Sequence, residues 1–151
     1  MTRLSPSDVA CWVLKSNRSP GEIAPGWAAG EERRLTRCVH RSYRLALMRA
    51  GRPCLLWVSG RRAPGVHAIG VLAGEPGEGP GGPEVPVELT LLPDPVPRAE
   101  LLTDAVVCGA EVVRMPAGSN PSWLSADQFA VVRARVAFPA ASRDRLGPWQ
   151  P

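Results

Sequence analysis

Residues 53–74, PCLLWVSGRRAPGVHAIGVLAG, decide the class of fold. Two apolar runs, CLLWV and VHAIGVL, are rich in β-branched and aromatic residues, and they flank RRAPG, whose proline and glycine suit a turn. The stretch reads as a hairpin: a strand over 53–60, a turn over 61–65 and a second strand over 66–74. Side chains alternate faces along a strand, so Trp57 and Ser59 point the same way.

Toward the N-terminus, ACWVLK (10–15) reads as a further strand. It ends without a turn residue in Lys15, Ser16 and Asn17, and Lys15 is the sole lysine of the chain. Residues 17–30, NRSPGEIAPGWAAG, hold too many prolines and glycines for more than one helical turn. Over 31–50 the apolar residues Leu35, Val39, Leu45, Leu47 and Met48 stand among arginines, and YRLALMRAG (43–51) reads as a helical piece stopped by Gly51.

Toward the C-terminus, EPGEGPGGPEVP (75–86) reads as a flexible loop without core-forming side chains. VELTLL (87–92) reads as a strand, PDPVPRAELL (93–102) as a proline-rich turn entering a short helix, and AEVVRM (110–115) as another strand. SADQFAVVRARV (125–136) reads as a helix capped by Ser125, with Phe129, Val132 and Val136 on one face. About five or six short strands with two or three short helices, in no regular βαβ order, predict an α+β fold: a curved mixed sheet or small barrel edged by helices. Neither a dinucleotide-binding glycine fingerprint nor a phosphate-binding loop ending in Gly-Lys-Ser/Thr is present.

With 151 residues, 44% hydrophobic and 21% charged, the chain fits one globular domain. The expected division is a lead over 1–9, the domain over 10–138 and a tail over 139–151. No basic start followed by an apolar run and no stretch of roughly 18–20 apolar residues is found, which predicts a soluble cytoplasmic protein without membrane contact. Of the four cysteines, Cys11, Cys54 and Cys108 lie in or beside apolar runs and are expected as small buried hydrophobes. No metal and no cofactor is expected, because His40 and His67 lack partners at ligand spacing.

The net charge is +4, and its distribution is uneven. Nine arginines, from Arg33 to Arg62, fall where no acidic residue stands between Glu32 and Glu75. Guanidinium forks suit phosphate oxygens and stack on bases, so this run points to a polyanion, against the plainer reading of a solvated face. Candidates for catalysis are poor. His67 sits inside an apolar strand, as structural histidines do, and His40 stands among arginines whose field opposes a protonated imidazole. What remains is a mixture that a base-reading pocket needs: donors and acceptors for the ring edge, aromatic faces for stacking, and cations for phosphate. Lys15, Ser16, Asn17, Trp57, Ser59, Asn120 and Trp123 supply the first two, and Arg37 and Arg41, with Tyr43 in the same segment, complete the candidate set.

These motifs together resemble the EVE domain family. WVLKSN is similar to its opening strand, of the form aromatic-apolar-apolar-Lys-Ser-Glu-Pro, and more distantly to the Lys-Ser start of YTH domains. YRLALMRAGRPCLLWVSG resembles the family's arginine helix leading into a strand that ends aromatic-x-Ser. GVHAIGVLAGEP resembles its partner strand, and MPAGSNPSWLSADQF its closing turn and helix. The similarity runs in order over residues 10–136.

The resemblance implies a PUA-like fold and a pocket for a flipped or modified base, such as a methylated or hydroxymethylated cytosine or N6-methyladenine, in DNA or RNA. It places Lys15 and Ser16 against the base or its phosphate, Ser59 in the pocket and Asn120 at its rim. Two positions depart from the family. Asn17 stands for a glutamate, exchanging a fixed charge for an amide that both donates and accepts. Arg34 or Arg37 falls where a cage tryptophan is usual, leaving Trp27 or an arginine plane as the substitute wall.

The leading expectation is therefore a non-catalytic module, monomer or weak dimer, that binds a modified base in nucleic acid. The alternative is a PUA-like hydrolase of modified nucleosides using Lys15 beside Ser16. A third class, a small-molecule or protein binder, would make RLGPWQP (145–151) an adhesive tail.

Overall fold

The computed structural model describes residues 3–137 and 147–150. Seven strands form one mixed sheet: β1 (Cys11–Ser16), β2 (Glu32–Cys38), β3 (Pro53–Val58), β4 (Gly65–Leu72), β5 (Gly77–Gly79), β6 (Gly82–Pro97) and β7 (Ser122–Leu124). Their order is β2-β6-β4-β3-β1-β7, with β5 attached to β6. β1 and β3 run parallel, and every other pairing is antiparallel. Four short helices accompany the sheet: α1 (Pro20–Ile23), α2 (Arg98–Leu102), α3 (Glu111–Arg114) and α4 (Ala126–Arg135). The α+β expectation is met.

The unbroken apolar run of β1 follows from burial on both faces. Cys11 and Val13 join a core with Leu55, Trp57, Val66 and the inward residues of α2, α3 and α4. Trp12 and Leu14 join a second core on the opposite face, with Trp27, Met48, Leu56, Leu72, Val87 and Leu89. Each side chain so buried contributes about 1.5–3 kcal/mol. At Gly70 β4 and β6 approach so closely that a Cβ there would strike the Glu88 carbonyl, so only glycine fits.

The sheet curls. In a flat sheet β1 and β2, four strand spacings apart, would stand about 19 Å from each other. Asn120, on the loop before β7, nevertheless reaches both: its Oδ1 accepts from the Lys15 amide (3.1 Å) and its Nδ2 donates to the Cys38 carbonyl (3.2 Å). The His40 amide also donates to the Asn120 carbonyl, at 2.7 Å. The edge strands β2 and β7 share no ladder among the described residues, so a side chain and a loop span the gap instead of a strand pair.

Several local expectations are corrected. ERRLTRC (32–38) is a strand, with Arg33, Leu35 and Arg37 half-buried and the residues between them exposed. The helical piece at 43–51 is a 3₁₀ turn over Tyr43–Leu47, capped by the Ser42 hydroxyl. Gly51 lies beyond it, at φ +84, in the turn that enters β3. The glycine-rich 75–86 segment pairs as the β5–β6 hairpin, because ladder bonds need backbone and not side chains.

PDPVP belongs to β6, but its register with β4 jumps from Ala68–Leu91 to Val66–Val96, so residues 92–95 bulge. Prolines are tolerated there because the β2 edge has already ended at Glu32–Thr90. AEVVRM is not a strand: Glu111–Arg114 forms α3, which buries Val112 and Val113 and turns Glu111 toward Arg44.

The expected hairpin and terminal helix are present. β3 and β4 pair with one irregularity, at His67 between Trp57–Val66 and Leu56–Ala68. The His67 ring donates through Nε2 to the Ala63 carbonyl, at 2.6 Å, as a structural histidine would. Helix α4 carries the expected Ser125 cap, reciprocated by Gln128. Of the expected adhesive segment 145–151, the described residues divide: Gly147, Pro148 and Gln150 are exposed, and Trp149 packs inward. Trp149 is 2% exposed, meets Phe129 edge-on at 4.8 Å and donates to the Gly70 carbonyl at 2.8 Å. The remainder of the expected tail, 139–146 and 151, lies outside the described residues. No helix among the described residues is long and apolar enough to cross a membrane.

Candidate functional site

Where β1 and β2 end beside the 116–120 loop, a cleft of about 430 Å³ opens. Its walls are residues 15–18, residues 36–38 with His40, Ser59, and residues 116–118 with Asn120. The sheet's curl brings these separate segments together. Of the residues singled out in the sequence, Lys15, Ser16, Asn17, Arg37, Ser59 and Asn120 meet here.

Many polar groups of the cleft are already engaged in holding it. Asn120 is committed to β1 and β2 as described. Lys15 Nζ donates to the carbonyls of Met115 and Pro116, both at 3.3 Å, and so ties the loop to β1. Ser16 Oγ accepts from the Arg18 amide and donates to the Arg18 carbonyl, closing a local turn that ends the strand. Ser59 Oγ donates to the Ser16 carbonyl at 3.3 Å. Lys15 Nζ and Ser16 Oγ thus bond to different backbone groups, the one to the 115–116 carbonyls and the other to Arg18.

On the cleft wall, Asn17, Arg18, Thr36, Arg37, Cys38 and His40 have side chains without hydrogen-bond partners among the described residues. Arg37 is the most constrained of them. Its Nε is buried with no partner, and burial pulls the guanidinium below the usual arginine value while Arg18 adds to the effect. Lys15 is likewise lowered by burial, opposed by Glu111 and reinforced by Arg44. Three cations thus border the cleft, and no carboxylate does. Such a wall favours an anion or the electron-rich edge and face of a π-system.

The remaining candidates lie elsewhere. Trp57 is 2% exposed in the helix-side core, and Trp123 packs half-buried on the opposite core, in register with Trp12. Arg41 forms a two-point ion pair with Glu78, at 2.6 and 3.0 Å. Tyr43 Oη accepts from the Leu4 amide, and the Arg3 guanidinium covers its ring. Trp27 does not replace a cage wall: it is buried and donates to the Glu31 carbonyl at 2.8 Å. The imidazole of His40 is the sole ring of an aromatic side chain on the cleft wall.

Most of the arginine run is likewise neutralised locally. Arg33 pairs with Glu31, Arg34 with Glu88, Arg41 with Glu78, Arg44 with Glu111 and Arg49 with Glu75. Arg52 donates to the Val9 carbonyl. Sequence separation concealed four of these pairs, whose carboxylates come from the loop before β5, from β5, from β6 and from α3; Glu31 stands two residues from Arg33. Arg18, Thr36, Cys38 and His40 enter the site without having been picked as binding residues. The alternation in ERRLTRC was the signal that would have put Thr36 and Cys38 at a strand end.

Among the described residues no cluster of His, Cys, Asp and Glu could hold a metal ion. Cys11 and Cys54 are fully buried, and burial pushes both thiols up; Cys108 is half-buried and Cys38 exposed. A second depression, about 340 Å³ beside residues 45–49 and 75–78, is bordered by Arg49 and its partner Glu75.

No protein-family model matches the sequence, and no curated protein matches it. Solved structures do match the fold. A hypothetical protein from Leishmania major aligns over 87% of this chain and 96% of its own, with TM-score 0.64 and 17% identity. The DUF55 domain of human thymocyte nuclear protein 1 aligns over 81% and 95%, with TM-score 0.55 and 14% identity. Human THYN1 protein in complex with 5-methylcytosine-containing DNA aligns over 85% and 99%, with TM-score 0.51 and 14% identity. At these identities the likeness is one of fold, and it places the chain beside DUF55-type domains in architecture, in keeping with the PUA-like, EVE-like fold implied by its motifs.

Proposed function

We propose that the cleft receives a single base of a nucleic-acid strand, turned out of its stack, and that a modified cytosine or adenine is the preferred class. The observation that carries this is the convergence of four separate segments on one cleft with three cations, a free amide and no carboxylate. Its volume of about 430 Å³ suits a small planar ligand. The fold likeness to a protein bound to DNA containing 5-methylcytosine supports the same reading.

In this reading the roles are divided. Asn17 reads the base edge, since a neutral amide both donates and accepts. Arg37 or His40 supplies the stacking plane that an aromatic cage supplies elsewhere. Arg18 meets the phosphate of the extruded nucleotide. Lys15, Ser16, Ser59 and Asn120 hold these groups in place, and Lys15 adds positive potential.

The test is a titration of matched oligonucleotides carrying cytosine, 5-methylcytosine, 5-hydroxymethylcytosine, adenine or N6-methyladenine, as DNA and as RNA. A preference of tenfold or more for one modification, about 1.4 kcal/mol, is expected. Lys15→Ala is expected to abolish that preference. Equal and salt-sensitive binding to every oligonucleotide, unaffected by Lys15→Ala, would refute base reading at this cleft.

A further inference from the structure

Two buried side-chain donors lack any partner among the described residues: Arg37 Nε and Trp57 Nε1. An unmade hydrogen bond in a buried place is costly, and native structures rarely leave one without a reason. Both side chains line cavities. Arg37 lines the cleft described above, and Trp57 lines a second cavity of about 300 Å³ with Ser59, Gly60, Pro64, Arg98 and Pro116. The two cavities have Ser59 and Pro116 in common, so they adjoin.

The second cavity is built around a cation. Arg98 makes one long hydrogen bond, from Nη2 to the Val113 carbonyl at 3.4 Å, and no carboxylate lines the cavity. The turn through Gly60, at φ +117, lines it, and the β3–β4 register shifts next to Trp57. Trp57 is the residue at which the β3–β4 register shifts, and bulges of this kind re-aim a neighbouring side chain. Arg98 and Trp57 line the same space, and their guanidinium and indole N–H are donors that one long bond leaves largely unused, while the Ser59 hydroxyl already donates to Ser16.

We infer that this second cavity is a phosphate subsite, taking the phosphodiester that flanks a base held in the main cleft, with Arg98 as its cation and Trp57 Nε1–H as a neutral donor. The inference rests on the base-reading proposal only for what occupies the main cleft; the phosphate chemistry follows from Arg98 and Trp57 themselves. It gives Trp57 a part in binding as a hydrogen-bond donor, not as a stacking face. It also makes a nucleotide the smallest ligand that fills both cavities, because a lone nucleoside leaves the second cavity empty.

The experiment is NMR of the full chain, following the Trp57 indole N–H, assigned with Trp57→Phe, and the Arg37 Nε–H. Inorganic phosphate, a nucleoside and the corresponding dinucleoside monophosphate are added in turn. Phosphate and the dinucleotide are expected to shift the Trp57 indole, and the nucleoside to shift Arg37 alone. Arg98→Gln is expected to abolish the indole shift and weaken dinucleotide binding about tenfold, leaving nucleoside affinity within about twofold. Arg98→Lys, which keeps the charge, is expected to recover part of the loss and serves as the control for folding.

A Trp57 indole unmoved by phosphate and by the dinucleotide, while Arg37 Nε–H responds to the dinucleotide, overturns the subsite and leaves the main cleft standing. A shift of Trp57 by phosphate with no response of Arg37 to either nucleic-acid ligand supports the subsite and overturns the base-reading proposal.

Discussion

Asn120 offers the sharpest test of how the cleft is held. Its side chain joins two strands that the sheet order keeps apart, accepting from the Lys15 amide at 3.1 Å and donating to the Cys38 carbonyl at 3.2 Å. Each bond contributes about 1 kcal/mol, and removing one partner leaves the other group to find water. Asn120→Ala therefore costs about 2 kcal/mol. For a domain of this size that is a fall in melting temperature of about 4–8 °C. Asn120→Asp separates the two bonds: it keeps the acceptor for Lys15 but sets a carboxylate oxygen against the Cys38 carbonyl. Its cost is at least half as large and shrinks in acid, where a protonated carboxyl can donate again. Thermal melts of the three proteins at neutral and acid pH measure this, with hydrogen exchange at the Lys15 amide as the local readout. If Asn120→Ala melted within about 1 °C of the parent and the Lys15 amide kept its protection, the bridge would carry no weight.

Three further outcomes follow from the charges and the chain end. Because five arginines of the 33–62 run are held by carboxylates, the cations left to displace counterions here are Lys15, Arg18 and Arg37 at the cleft and Arg98 in the adjoining cavity. The slope of log affinity against log salt for duplex DNA is then about −3.6, and a slope near −8 would show that the whole run binds phosphate. Arg44 and Glu111 meet at two points, 2.8 and 2.7 Å, with side chains 12% and 22% exposed, and the Arg44 bonds hold the Glu111 carboxyl below the usual glutamate range. That stabilisation is present above the unfolded glutamate value of about 4.3 and is lost as pH falls through the lower folded one. Glu111→Gln should destabilise by about 2 kcal/mol at pH 7 and flatten the acid limb of a melting-temperature profile. Trp149→Ala removes the Phe129 contact and the bond to Gly70 and should cost about 3 kcal/mol in urea denaturation without changing the oligomeric state.

The sequence was most legible where a residue's role depends on near neighbours. The β3–β4 hairpin, the Ser125 cap and strand β1 rest on turn chemistry, capping and an unbroken apolar run, which act over a few residues. It was least legible where tertiary partners override local preference. EVVR carries two β-branched valines yet forms a helical turn, since that turn buries both and directs Glu111 onto Arg44. The hairpin in 75–86 escaped for the opposite reason: backbone pairing leaves no hydrophobic pattern in a stretch of glycine and proline. In the site, alternation rightly put Trp57 and Ser59 on one side of β3, but it could not show that this side faces the helices, where Trp57 is buried.

The polar end of β1 acquires a different meaning from this geometry. A lysine, a serine and an asparagine after four buried residues suggest three ligand contacts, yet two of them already have partners in the chain. Lys15 holds the 115–116 carbonyls and Ser16 turns the backbone at Arg18, while Asn17 and Arg18 are presented beyond them. The strand must end in this way because the sheet curls there without closing. Backbone groups that another strand would have satisfied need side-chain partners, and Asn120, Lys15 and Ser59 supply them. A gap bridged by side chains instead of a ladder is also a gap into which a planar ligand fits. The same residues that complete the fold's hydrogen bonding therefore fix the width of the cleft, and substitutions there should alter melting temperature and ligand affinity together. Substitutions at Asn17 or Arg18, whose side chains have no hydrogen-bond partner to lose, should change affinity alone, whereas Arg37, with its Nε buried, should also alter the melting temperature.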